Sequence, residues 1–149
     1  MKIVIQRVTQ SSVSVAGSLV SSIGKGLCVL VGIHTDDTDD DIQYTVRKIL
    51  NTRIFDGETK RWDKSVKDLN LEVLCVSQFT LYGILKGNKL DFHNSMGPKE
   101  ACEFYGKFIS QLRSQYNTDL VKDGVFAAMM EVQISNDGPV TVVIDSKDK

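Results

Sequence analysis

The chain has 149 residues, of which 42% are hydrophobic and 25% charged, with a formal net charge of −1. That length suits one domain spanning residues 1–149 with a sizeable core, and the balance excludes wholesale disorder. Near-neutral charge excludes a broadly cationic coat for nucleic acid and leaves room only for local basic patches.

Lys2 to Val8 reads as a strand, with Ile3, Ile5 and Arg7 on one face. Pattern alone favours a strand-end arginine reaching solvent; the sharper reading turns Arg7 inward to bond backbone carbonyls. Its polarity and shortness do not fit a signal peptide, and no apolar run is long enough to span a membrane. A cytoplasmic location is therefore expected. Ser12–Val15 and Leu19–Ile23 suggest a hairpin around Ala16-Gly17. Gly26–Ile33 is a continuous apolar run, as expected of a buried strand.

The acidic stretch Asp36 to Asp41 precedes Ile42, Val46, Ile49 and Leu50 at helical spacing. Carboxylates suit the positive end of a helix dipole. The stretch lacks the alternating ligands and glycine of a calcium loop, so a metal site is the weaker reading. Asp56-Gly57 marks a turn. Lys60, Arg61, Lys64 and Lys67 follow around Trp62, the most basic stretch of the chain, read in isolation as a solvated loop.

Leu71–Val76 is another apolar strand, running into Ser77-Gln78-Phe79-Thr80. A polar loop from Gly83 to Ser95 precedes a second helix opened by Gly97-Pro98. Ala101, Phe104, Tyr105, Phe108, Ile109 and Leu112 give that helix its apolar stripe. Val125–Ile134 reads as a strand with Phe126, Ala128, Met130, Val132 and Ile134 on one face. Asn136-Asp137-Gly138-Pro139 reads as a hairpin turn before a last strand, Val140–Ile144. The pattern implies about seven strands and two main helices in a mixed α+β layer fold. Cys28, Cys75 and Cys102 are expected to be reduced and mostly buried.

Chemistry is found mainly by elimination. Neither His34 nor His93 sits in a motif, and zinc spacing, a P-loop, a dinucleotide fingerprint and a nucleophile elbow are all missing from the sequence. No metal and no cofactor is therefore expected. What remains is a strand end, Ser77-Gln78-Phe79-Thr80, and a turn, Asn136-Asp137-Gly138-Pro139. A strand end holds polar groups rigidly, and a Gly-Pro pair can present carbonyls as fixed acceptors.

At these two segments the chain resembles the D-aminoacyl-tRNA deacylases, a family marked by S-Q-F-T-L and N-x-G-P. Both occur here, at Ser77–Leu81 and Asn136–Pro139. The likeness extends along the chain through Val4–Val8, Val46–Leu50, Leu85–Lys89 and Lys122–Phe126. Three positions depart from the family pattern: Leu90 where proline is expected, Gly97, and Ala127 where glycine is expected.

The resemblance implies a barrel-like core of two β-sheets with two main helices. It also implies a homodimer in which the Gly-Pro of one subunit, with its peptide bond cis, enters the other's active site. The implied reaction is hydrolysis of the ester joining a D-amino acid, or glycine, to the 3′ end of tRNA. Catalysis is expected from Ser77, Gln78, Phe79 and Thr80, with backbone N–H groups near Phe79 and Thr80 receiving the oxyanion. Thr80 is expected to orient water, with the terminal ribose 2′-OH assisting. Gly138 and Pro139 would select chirality through their carbonyls, with Asn136 and Arg7 in support and Arg7 as the brace. Phe126 and Met130 would line the adenosine or substrate pocket, core packing being the alternative. Two other readings stay open: a sister deacylase that removes mischarged L-alanine, whose motifs differ, and a DNA-binding role at unwinding elements of replication origins.

Overall fold

The computed structural model describes all 149 residues. Strand β1 (Lys2–Val15) turns through Ala16-Gly17 into β2 (Ser18–Ile23), and β3 (Gly26–Gly32) follows. Helix α1 (Asp39–Asn51) leads by a long connection to β4 (Glu72–Ser77), which ends in a short 3₁₀ turn, Phe79–Tyr82. A small hairpin, β5 (Ile84–Lys86) and β6 (Lys89–Asp91), precedes helix α2 (Pro98–Gln115). Strands β7 (Val121–Asp123) and β8 (Glu131–Asp145) complete the chain.

The main sheet has six strands, ordered β2-β1-β3-β4-β7 with β8 also paired to β1; the β5-β6 hairpin forms a separate two-stranded sheet. Pairing is antiparallel between β1 and its neighbours and parallel along β3-β4-β7. Both faces of β3 and β4 are covered, which is why they read as unbroken apolar runs. Leu27, Val29, Val31, Val73 and Cys75 face a large cluster closed by the helices through Ile42, Val46, Phe108 and Leu112. Cys28, Leu74 and Val76 face a smaller cluster with Val8, Val13 and Ile23, onto which Met130, Val132 and Ile134 of the opposite wall fold. The sheet thus curls toward a barrel, as the family resemblance implies, with the two helices of the mixed α+β reading on one side.

The acidic stretch serves the helix entrance. Asp41 Oδ2 accepts from the Thr38 N–H at 2.8 Å, and Asp37 Oδ2 accepts from the His34 N–H at 2.7 Å. Asp41 also accepts from the Ser146 hydroxyl at 2.7 Å and from Lys147 at 3.0 Å, so α1 is tied to the end of the chain.

Several expectations are corrected. Ser12–Val15 is not a separate strand but the end of a 14-residue β1. The Gly83–Ser95 segment contains the β5-β6 hairpin, bringing the strand total to eight. Residues 125–130 are not strand: Ala127 stands at φ +63° and the chain turns there. An alternating apolar pattern can arise by chance from residues that touch different parts of a core. Finally, Asn136–Pro139 is no hairpin turn, because β8 runs through it and pairs with β1 on both sides. Cys28 and Cys75 are buried as expected, but Cys102 is exposed on α2.

Candidate active site

Ser77 closes β4 opposite Val31, and the Gln78 N–H makes the last ladder bond, to the Val31 carbonyl at 2.7 Å. The chain then tightens into the 3₁₀ turn, where the Gly83 N–H bonds the Thr80 carbonyl at 2.9 Å. Gly32 makes room for this turn. A Cβ there would lie 2.9 Å from Leu81 Cβ and 3.2 Å from the Gln78 carbonyl oxygen. Ser95 donates its hydroxyl to the Phe79 carbonyl at 2.9 Å, and the Phe79 ring meets Phe92 edge-on at 5.0 Å.

The turn leaves its donors open. Neither the Phe79 nor the Thr80 N–H is engaged in any hydrogen bond, so adjacent amide donors stand free at an exposed strand end. Such a pair has the form of an oxyanion-binding nest. The Gln78 side-chain amide donates to the Thr80 hydroxyl, which has no other partner, and no histidine bonds it. His34 instead packs edge-on against Tyr82 at 5.1 Å and takes the Asp36 N–H on Nδ1. Burial pushes the Cys28 and Cys75 thiols up, so neither is poised as a thiolate.

The second segment is a bulge. Val8 pairs with Asn136 and Gln6 with Thr141, so the single residue Arg7 faces Asp137, Gly138, Pro139 and Val140. Arg7 Nε donates to the Asp137 carbonyl at 3.1 Å and Nη1 to the Ile54 carbonyl at 2.6 Å. Arg7 therefore turns inward onto backbone carbonyls; the solvent-reaching alternative is overturned. The reason is the Ile3-Ile5-Arg7 face, which points to the helix-covered side where Ile54 lies. Gly138 has φ +126°, and a Cβ would meet Val140 Cγ2 at 3.0 Å and Arg7 Nη2 at 3.3 Å. Both the dihedral and the crowding demand glycine. The Gly138-Pro139 peptide bond is cis, and both residues are exposed.

Phe126 and Met130 do not share a strand face. Phe126 leans on Tyr105 at 5.7 Å beside the large cluster, whereas Met130 packs on the small one. Tyr105 donates to Asp123 at 2.6 Å, and burial lifts the Asp123 carboxyl despite that bond. Asn136 is exposed, with its backbone in the β1 ladder.

Within one chain the two segments do not meet. Ser77 is level with Val31 and, through it, with Ile3, whereas the bulge lies opposite Arg7. That is four residues along β1, about 13 Å, and three strand spacings across, about 14 Å. Sequence reasoning missed Gly32, Phe92 and Ser95, which pack against the turn from distant segments and carry no local signal.

The mixed, curling sheet thus presents unbonded amides at one strand end and an exposed Gly-Pro bulge at another. Unbonded amides of this kind can stabilise an oxyanion, as the hydrolysis of an activated ester requires. The D-Tyr-tRNA(Tyr) deacylase family model matches residues 4–145. The chain is 57% identical over 149 residues to the D-aminoacyl-tRNA deacylase of Drosophila melanogaster, covering all of this chain and 94% of that one. It is 54% identical over 147 residues to D-aminoacyl-tRNA deacylase 1 of Homo sapiens, covering 98% of this chain and 70% of that one. The chain belongs to the D-aminoacyl-tRNA deacylase family.

Among solved structures, the c-Myc DNA Unwinding Element Binding Protein superposes with a TM-score of 0.94 at 53% identity, over 97% of this chain and 98% of that one. A protein described as a probable eukaryotic D-amino acid tRNA deacylase matches at 19% identity with a TM-score of 0.84, over 96% and 97% of the two chains, a likeness of fold. No helix is long and apolar enough to cross a membrane.

Proposed function

We propose that the chain, acting as one domain over residues 1–149, hydrolyses the ester linking a D-amino acid to the 3′ end of tRNA. The observation that carries this reading is the unbonded amide pair at Phe79 and Thr80 on a rigid strand end. Water attacks the ester carbonyl, and the negative charge that develops on its oxygen is received by these amides. The carbon–oxygen ester bond then breaks, giving the free D-amino acid and the ribose hydroxyl. An aminoacyl ester is already activated, so positioning and oxyanion stabilisation supply much of the acceleration. Thr80, held by Gln78, orients the water, and Ser77 fixes the strand end behind them.

Selectivity comes from Gly138 and Pro139 of a second copy in a homodimer. The separation of the two segments within one chain supports this, as does the exposure of the bulge. Their carbonyls accept from the substrate ammonium, and an L side chain strikes the wall they form. Glycine, lacking a side chain, passes, so glycyl-tRNA is also a substrate. Asn136 and Arg7 hold the bulge, and Phe126 and Met130, half-buried on separate clusters, border the pocket for the adenosine or the substrate from different sides.

A second reading, DNA binding, is favoured only by the name of the solved relative at 53% identity. A net charge of −1 gives it little electrostatic support. The test offers D-Tyr-tRNA, L-Tyr-tRNA and origin DNA separately. Release of D-tyrosine with L-Tyr-tRNA spared is the expected result. No release, together with tight salt-dependent DNA binding, would sink the deacylase reading.

A further inference from the structure

Trp62 is the residue the proposed reaction leaves unused. It is 51% exposed, and its backbone stands at φ +55°, a conformation a bulky side chain seldom adopts. The loop around it is closed by the Phe55–Lys64 bridge and by the Gly57 N–H on the Lys60 carbonyl at 2.8 Å. Asp56 accepts the Trp62 N–H at 3.3 Å, and Asp63 packs where a Cβ on Gly57 would sit. Asp56 is thus engaged by the loop's own backbone. Lys60 and Arg61 are exposed and make no ion pair.

The indole lies beside the bulge. The Arg7 guanidinium is 5.9 Å from the Trp62 ring centroid, and the same guanidinium touches the space beside Gly138 and bonds the Asp137 carbonyl. One side chain therefore separates Trp62 from Gly138. An exposed aromatic flanked by unpaired cations matches how single-stranded nucleic acid is held: a base stacks on the ring while phosphates meet the cations.

We propose that Trp62, with Lys60 and Arg61, is a stacking platform for a base of the single-stranded 3′ end of the substrate RNA, upstream of the terminal adenosine. This rests on the deacylase reading above. The platform travels with Gly138-Pro139 and so reaches the same substrate end that the bulge screens. It binds the RNA part and leaves the ester to the amides.

The test compares D-Tyr-tRNA with the D-tyrosyl ester of adenosine, which lacks the upstream bases. Trp62→Ala should raise KM for the tRNA roughly tenfold more than for the small ester, in keeping with the loss of one stacked base. Trp62→Tyr should restore most of it. Trp62 is the only tryptophan in the chain, so its fluorescence reports directly. Uncharged RNA with the same 3′ end should quench it saturably. Equal losses on both substrates would mean that Trp62 merely supports Arg7 and would overturn the platform. So would fluorescence that ignores RNA and shifts only with protein concentration, which would place Trp62 in a contact between copies. Wild-type protein that cleaves neither substrate would instead refute the deacylase reading, and the quenching titration would still decide the platform.

Discussion

Arg7 and Asp137 are joined by a hydrogen bond of 3.1 Å from the guanidinium Nε to the backbone carbonyl. A second bond, to the Ile54 carbonyl, fixes the same side chain from the other end. Arg7→Ala removes both and leaves the bulge without its clamp. A misplacement of about 1 Å can cost about a hundredfold in rate, so D-Tyr-tRNA hydrolysis should fall by about that factor. Discrimination against L-Tyr-tRNA should weaken as well. Arg7→Lys should rescue little, because one ammonium cannot reproduce the fork that reaches both carbonyls. Parallel D and L deacylation rates check this.

Thr80 has one hydrogen-bond partner, the Gln78 amide, and no base beside it. A hydroxyl that only orients water contributes about one hydrogen bond, so Thr80→Ala should slow turnover about tenfold. Single-turnover kinetics decide the matter. Complete loss of activity in a folded variant, or a trapped acyl-enzyme on Thr80, would show that it is the nucleophile instead.

Gly32 lies beneath the 3₁₀ turn that carries Phe79 and Thr80. Gly32→Ala places a Cβ 2.9 Å from Leu81 Cβ, so the turn must shift. Overpacking of this kind costs about 1–3 kcal/mol. Thermal unfolding should register that loss, and kcat should fall further than the lost stability alone would explain, because the free amides move with the turn.

Asp41 ties α1 to the end of the chain. Burial opposes its charge, but the Ser146 hydroxyl, the Thr38 N–H, Lys147 and the N-terminal charge together hold its carboxyl well below the ordinary carboxylate range. Because the folded pKa is depressed, the stabilisation is fully present above the unfolded value of about 4. It is lost as pH falls below that, toward the folded value. Asp41→Asn should therefore cost about 1–3 kcal/mol at pH 7, and the gap from wild type should narrow below about pH 4. Urea unfolding at pH 7 and pH 3 measures both.

How much of this was legible depended on how far apart the interacting residues lie. Buried strands β3 and β4 and helices α1 and α2 follow from runs and periodicities within single segments. Asn136–Pro139 has a composition that fits a turn; that it is a bulge depends on β1, some 130 residues away, which continues the pairing on both sides. Ala127 shows the converse. The family resemblance expects glycine there, and the structure supplies the reason in a left-handed φ of +63°.

By itself the sequence determined the two segments, their family and the apolar pattern of the core, because motif and periodicity are local properties. Tertiary structure decided the direction of Arg7, the open amides of Phe79 and Thr80, and the distance that keeps the two segments apart in one chain. Each of these depends on register between strands, and register is set only when the faces of the sheet are buried together.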